Sequence, residues 1–354
     1  MLFGWLSPLR RRRAPDWSNP SELRVFHIGG YWRGQNDAVR QVMLGLRGAG
    51  ALVHEYCTDE HPEALDCDGR GWDRGTTGPV WLRWEALKDE IEAFRPDLIV
   101  CDAGGLSFRP DVARRLRRRT ALLGIAMSDP DVFAPTTRQI AASFDLYLTN
   151  YRDLLPEYRA LGANAAKLPF ATNADYFHPV PARPEYRCDV VVFGRAHRDR
   201  VAPVKAVAEV FDLHLYGEAW EAEGLKSRGT LEGEDLLSAL NSAKLALVTH
   251  TTLFNTPVVK NVMLDFMAAG ALVVTNEFEP AREYFDFGKD LIVFGSMADL
   301  VDKVRYYLDH PDEAEAIRRT GRERVLREYD WKGFWPGIFR QIAQARGDPL
   351  RPDR

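Results

Sequence analysis

The stretch DVVVFGRAHRDR (189–200) delivers an apolar run of strand length onto a glycine and then onto a crowd of positive charge. Val190 to Phe193 show no polar alternation, as expected of a strand covered on both faces of a parallel sheet. Gly194 follows at the strand's carboxyl end, and Arg195, His197, Arg198, Arg200 and, further on, Lys205 come next. Such groups repel one another unless water or an anion faces them, and guanidinium forks fit phosphate oxygens. Two readings stand: a diphosphate-binding loop, or a solvated loop with Asp199 and Glu209 as partners.

The same scheme extends in both directions. Downstream come DLHLY (212–216), LALVT (245–249), ALVVT (271–275) and LIVF (291–294), with helical patterns at 234–242, 261–269 and 297–308. Upstream come RVFHI (24–28), DLIVC (97–101), LLGIAM (122–127), DLYLT (145–149) and the shorter AAKLPF (165–170). After the first of these, Val39, Val42, Met43 and Leu46 repeat at helical spacing, with Asn36 or Asp37 as a cap and Gly48 and Gly50 at the stop. Strands alternating with helices predict an α/β fold of two doubly wound parallel sheets. Between the halves, residues 173–187 hold Pro179, Pro181 and Pro184, which suits an extended linker. The expected domains are therefore 22–172 and 188–328, with a flexible basic tail at 1–21. Two such domains in tandem leave a cleft faced by strand carboxyl ends, where open α/β sheets bind ligands.

Composition narrows the function. The chain has 354 residues, with 47 Lys and Arg against 51 Asp and Glu, and 45 % hydrophobic residues. This is ordinary globular composition, and the balanced charge argues against general nucleic-acid binding. Four cysteines, at 57, 67, 101 and 188, have no metal-ligand spacing and read as reduced thiols. No run approaches the roughly 18 apolar residues that cross a bilayer, so a soluble, cytoplasmic protein is expected. Arg10, Arg11, Arg12 and Arg13 follow a short apolar start. They read as a solvated tail or as a weak foothold on an anionic inner membrane face.

Two further segments could carry chemistry. VTHTTLFNTPVVKNVMLDFMAAGALVV (248–274) joins strand, polar loop, helix and strand. Its loop offers Thr249, His250, Thr251, Thr252, Asn255 and Thr256, with Lys260 and Asn261 near the helix start and Asp265 a turn later. Asp265 is either an exposed-face residue or an acceptor for ligand hydroxyls, and His250 alone is more often structural. In the first half, HIGGYWRGQ (27–35) sets Gly29, Gly30 and Gly34 before a helix, where backbone N–H groups can meet an anion. A bare turn would look similar.

With those residues in view, the chain resembles the CgeB/YkvP-like glycosyltransferases, relatives of the large retaining nucleotide-sugar transferase superfamily. The matching stretches include DVVVFGRAHRDR, LHLYGEAW, GTLEGEDLLSALNSAKLALVTH and DFMAAGALVVTNEFEPAREYF in the second half. In the first half they include RPDLIVC, AMSDPDVF, FDLYLTN and YRALGANAAKLPFATNADYFHP, so the likeness covers about 22–340. It implies a GT-B architecture, two Rossmann-like domains facing a central cleft, with the donor nucleotide on the second. It also implies that YDWKGFWPGIFRQIAQ (329–344) begins a final helix, to 346, crossing back to the first domain.

By the same resemblance Arg195 and Arg200 bind the donor diphosphate, and Asp265 holds the ribose hydroxyls. Gly29, Gly30, Gly194, Thr251, Asn255 and Lys260 complete the expected donor site, and His250, Arg200 and Asp129 are the catalytic candidates, with His27 beside Asp129 on the acceptor side. Two positions depart from the family's pattern: Pro257 stands where relatives keep a sugar-gripping glutamate, and Val262 where they carry an arginine.

The expected function is transfer of a sugar from a UDP-, GDP- or TDP-linked donor to an unidentified acceptor. The resemblance implies retention of configuration, no cofactor and no metal. SDPD (128–131) has the spacing of a metal motif but lies in the acceptor half. Pro257 and Val262 keep a non-catalytic binding or assembly protein as an alternative, and a nucleotide-sugar epimerase or hydrolase is a third.

Overall fold

The computed structural model describes residues 15–30, 38–66, 78–102, 105–168, 170–250 and 256–348, the Arg198 side chain excepted. The chain divides into two compact units. Unit 1 comprises residues 1–31, 46–168 and 335–354, and unit 2 residues 32–45 and 169–334.

Unit 1 is built on a six-stranded parallel sheet. Its strands are β1 (Arg24–Gly29), β2 (Leu52–Cys57), β5 (Leu98–Asp102), β7 (Ala121–Ala126), β8 (Leu146–Thr149) and β9 (Ala165–Lys167), in the order β2-β1-β5-β7-β8-β9. A small second sheet pairs β3 (Leu65–Asp66) antiparallel and β6 (Leu106–Phe108) parallel with β4 (Val80–Leu82). Helices α2 (Trp84–Phe94), α3 (Pro110–Leu116), α4 (Arg138–Ile140) and α5 (Leu155–Ala160) connect these strands, while α1 (Ala38–Gly48), between β1 and β2 in the chain, falls mostly in unit 2. The central strands are buried along their whole length, which is why they read as unbroken apolar runs.

β2, β3, β4 and β6 escaped the sequence reading, and two physical reasons account for it. β2 is an edge strand that turns Leu52 and part of His54 and Glu55 outward, so its pattern is mixed. The other three are two or three residues long.

Unit 2 carries a five-stranded parallel sheet of β10 (Cys188–Phe193), β11 (Leu213–Tyr216), β12 (Ala243–Val248), β13 (Val273–Asn276) and β14 (Ile292–Phe294), in the order β11-β10-β12-β13-β14. Its helices are α6 (Arg198–Ala208), α7 (Gly233–Ser242), α8 (Asn261–Ala268), α9 (Met297–Asp309) and α10 (Pro311–Glu328). Val190, Val192, Leu245, Leu247 and Val274 from the strands pack with Val204, Leu300 and Val304 from the helices. Each such side chain, fully buried, contributes about 1.5–3 kcal/mol.

The last helix, α11 (Trp331–Arg346), begins in unit 2 and continues in unit 1 from Trp335 onward. Within unit 1 it buries Trp335, Ile338, Phe339, Ile342 and Ala343. Arg346 Nη1 reaches the buried Asp145 carboxylate at 3.2 Å, which Arg117 Nε also meets at 3.1 Å.

Two expected boundaries change. The tail ends before 21, because Trp17 is buried against Phe339 and its Nε1–H donates to Asp348 at 3.0 Å. The basic residues 10–13 lie outside the described residues. The proline-rich 173–187 belongs to unit 2 and is held at particular points: Phe177 is buried, and Arg183 N–H donates to Ser242 at 2.8 Å. Prolines set its extended path, but apolar burial holds it down.

Cys57, Cys101 and Cys188 are buried free thiols, and burial pushes the Cys101 and Cys188 thiols well up. No helix among the described residues is long and apolar enough to cross a membrane.

Candidate functional site

In unit 2 the chain leaves β10 for β11 on one side of the sheet and β12 for β13 on the other. The strand order therefore reverses between β10 and β12. Loops leaving adjoining strands in opposite directions open a crevice beyond their carboxyl ends, where α/β sheets hold ligands.

The loop after β10 is shaped by two glycines. Gly194 (φ +109°) donates its N–H to Tyr216 O at 2.8 Å and accepts Trp220 Nε1–H at 2.9 Å. A Cβ on Gly194 would lie 2.4 Å from Arg200 Nη1, and one on Gly217 (φ +141°) would lie 2.2 Å from Gly194 O. Only glycine lets these turns close together and seats the guanidinium over the backbone. Arg200, on the first turn of α6, donates from Nη1 to Arg195 O at 2.8 Å and from Nε to Thr249 Oγ1 at 3.4 Å. One side chain thus ties the loop after β10 to the loop after β12. Arg200 is half-buried and Arg195 exposed.

The second wall is the segment into α8. Thr249 and His250 are buried at the end of β12. His250 stacks on Phe278 with centroids 4.6 Å apart, donates its backbone N–H to Asn276 Oδ1 at 3.4 Å and accepts Val258 N–H at 3.1 Å. Lys260, half-buried, is the extended residue at the N-cap of α8, and Asn261 is the first helical residue. The far end of α8 is pinned where Arg322 Nε–H donates to Ala268 O and Asn241 Nδ2–H to Ala269 O, each at 3.0 Å. At the helix start Met263 N–H closes back on Lys260 O at 3.1 Å, and the positive end of the helix dipole lies there.

The electrostatics agree with the geometry. Burial first, then Arg200 and Lys260, holds His197 down to about 4. Burial first, then Lys260 and Arg200, holds His250 far below the usual imidazole range. Both imidazoles are thus neutral near pH 7 and sit in the field of two cations.

Asp265 is different. Its carboxyl accepts Thr172 Oγ1–H at 2.9 Å, and burial raises its pKa well above the carboxylate range. Nothing in the sequence marked Thr172 as its partner.

The expected residues of the first half belong to unit 1. Gly29 and Gly30 are buried at the end of β1, where Gly29 O accepts Thr58 N–H at 2.9 Å. His27 Nε2 lies 3.5 Å from Asp102 Oδ2, both fully buried. Asp129 is fully buried with its two oxygens accepting the hydroxyls of Thr149 (2.6 Å), Tyr158 (2.7 Å) and Thr137 (3.2 Å). Burial raises it to about 6 against those hydrogen bonds. This is the setting of a carboxylate that organises β8 and α5. Thr251 and Asn255 lie outside the described residues. No group of three or more His, Cys, Asp or Glu placed to hold a metal ion occurs among the described residues.

Comparison with known proteins meets this geometry. Residues 195–335 match the family described as glycosyl transferase-like, a span that opens on Arg195 and closes inside α11. No curated protein matches the sequence. Among solved structures, a sucrose-phosphate synthase from Thermosynechococcus elongatus is similar over 91 % of this chain and 98 % of its own, at 16 % identity and a TM-score of 0.59. Anabaena HepE in complex with UDP and glucose covers 91 % and 100 %, at 13 % identity and a TM-score of 0.60. AviGT4, a glycosyltransferase involved in avilamycin A biosynthesis, covers 92 % and 98 %, at 16 % identity and a TM-score of 0.56. The chain has the fold of these proteins, and its residues 195–335 are similar to the family described as glycosyl transferase-like.

Proposed function

We propose that the chain transfers a sugar from a nucleoside diphosphate donor to an acceptor hydroxyl, with the donor diphosphate held at the β10/β12 crevice of unit 2. The observation that carries this reading is Arg200, fixed to Arg195 O and Thr249 across the point where strand order reverses. Among the candidate bases we favour uracil, since HepE binds UDP and UDP-glucose in the same fold. We also take the chain to be CgeB-like, on the stretches quoted above.

In the transfer, the bond between the anomeric carbon and the β-phosphate oxygen breaks, one to the acceptor oxygen forms, and the acceptor's hydroxyl proton passes to the departing diphosphate. Negative charge builds on the departing diphosphate while the sugar gains oxocarbenium character. Arg200, Arg195, Lys260 and the N–H groups at the starts of α6 and α8 meet that charge with dipoles and cations already in place, an effect worth several kcal/mol. The scheme asks for no metal ion, because fixed cations take the counter-charge role. Asp265 is assigned to the ribose hydroxyls, and the neutral His250 to hydrogen bonding at the sugar. Retention of configuration completes the proposal by analogy with the resembling family. Asp129, with both oxygens engaged, is assigned to positioning rather than proton transfer.

Calorimetric titration with UDP, GDP and TDP tests the reading. Micromolar binding of one of them, weakened at least tenfold in both Arg200→Ala and Asp265→Ala, is the expected result. No binding of any of the three to the intact protein would overturn it.

A further inference from the structure

Among the buried side chains of unit 2, Asn261 is left with an unmet need. It is 6 % exposed, yet neither Oδ1 nor Nδ2 has a hydrogen-bond partner. Buried amides are nearly always satisfied, and exceptions mark places where a further group belongs. Asn261 opens the first turn of α8, directly after Lys260. His250, at the end of β12, repeats the feature: it is fully buried, and neither of its ring nitrogens has a partner of normal geometry. Two buried polar side chains from adjoining segments thus both lack partners beside the cations assigned to the diphosphate.

We propose that Asn261 reads the sugar of the donor, its amide donating to one sugar hydroxyl and accepting from another. The inference rests on the nucleotide-sugar reading above and adds a residue to it. The chemistry selects the sugar over the phosphates. A phosphate oxygen only accepts, so it would satisfy Nδ2 and leave Oδ1 stranded. A pair of hydroxyls supplies a donor and an acceptor together, which is what an amide requires. The diphosphate already has Arg200 and Lys260, and an uncharged amide adds little there. The same position also offsets a loss: Pro257, exposed and without a polar side chain, stands where the resembling family grips the sugar with a glutamate. Asn261 lies four residues further on, at the start of α8, and its amide would supply hydrogen bonds without charge.

The test compares a nucleotide with its sugar conjugate. The intact protein is first screened by calorimetry against UDP-, GDP- and TDP-linked glucose, galactose and N-acetylglucosamine, and the tightest conjugate and its parent nucleotide are carried forward. In Asn261→Leu and Asn261→Ala, affinity for the conjugate is expected to fall at least tenfold while affinity for the parent changes less than twofold. Equal losses for both ligands would overturn the sugar assignment and leave the nucleotide site standing. Failure of every conjugate and nucleotide to bind the intact protein would overturn the underlying reading and this inference with it. Thermal melting of the ligand-free variants guards against a structural explanation. Because the amide has no partner to lose, Asn261→Leu is expected to melt at or above the parent temperature, and a drop of several degrees would contradict the proposal.

Discussion

The two large sheets share a strand-order reversal but differ in the charge at that point. In unit 1 the reversal lies between β1 and β5, and its described residues are the buried pair His27 and Asp102 with Gly29 already bonded to Thr58. In unit 2 it lies between β10 and β12 and carries Arg200, Lys260 and two imidazoles held neutral by burial first and then by those cations. Topology alone gives each unit a place for a ligand. Charge decides which ligand: a carboxylate at a strand end repels a diphosphate, whereas a guanidinium held by two loops meets it without rearranging. The lesson is that one architecture carries two different settings at its strand-order reversals, and the proposed diphosphate site is the one in unit 2.

That contrast can be broken by substitution. Arg200→Ala is expected to weaken UDP binding about 30–100-fold, the worth of charge-assisted hydrogen bonds to phosphate, while Asp102→Asn changes it less than twofold. Calorimetry on both variants checks this, and a reversed order would place the anion in unit 1. Gly194→Ala comes next. A Cβ there meets Arg200 Nη1 and forces a side chain onto a positive φ, so a loss of about 1–3 kcal/mol in stability is expected together with roughly tenfold weaker UDP binding. Urea denaturation and titration measure the two effects, and unchanged affinity would show that the loop does not seat the ligand. Lys260→Met should cost about three- to tenfold in UDP affinity, less than Arg200 because an ammonium makes a single point contact.

The smallest effect concerns pH. His197 is held at about 4 by burial, Arg200 and Lys260, against an ordinary value of 6.5. Between those values the folded protein binds fewer protons at this site than the unfolded chain, so its contribution to stability falls as pH drops from about 6.5 towards 4. The exposed part of the ring moderates the slope to less than about 1 kcal/mol per pH unit. Denaturation at pH 7 and pH 5 should show a larger loss for the intact protein than for His197→Gln, and saturating UDP should shrink it by offsetting the two cations. Identical pH dependence in protein and variant would mean that His197 does not sit in their field.

The legible part of the sequence was that in which one physical pattern dominates. Doubly buried parallel strands such as β10, β12 and β7 announce themselves because both faces need apolar side chains. That Arg195 and Arg200 sit on the turn between β10 and α6 was readable, because an apolar strand, a glycine and a helical segment follow one another there. Edge strand β2 was not readable, since half of it faces water. The placement of residues 15–21 was hidden because one residue, Trp17, anchors them through contacts more than 300 positions away, Asp348 being 331 residues distant. The satisfaction of Asp129, the Thr172 hydroxyl on Asp265 and the isolation of Asn261 depend on which groups meet in three dimensions, and no spacing along the chain encodes them.

The most direct measurement is a crystal structure of the protein soaked with UDP. The account predicts diphosphate oxygens within about 3 Å of the Arg200 guanidinium and of N–H groups at the start of α6 or α8, the distance of a charge-assisted hydrogen bond. A diphosphate seated beside His27 and Asp102, or on the outer surface away from Arg200, would contradict it.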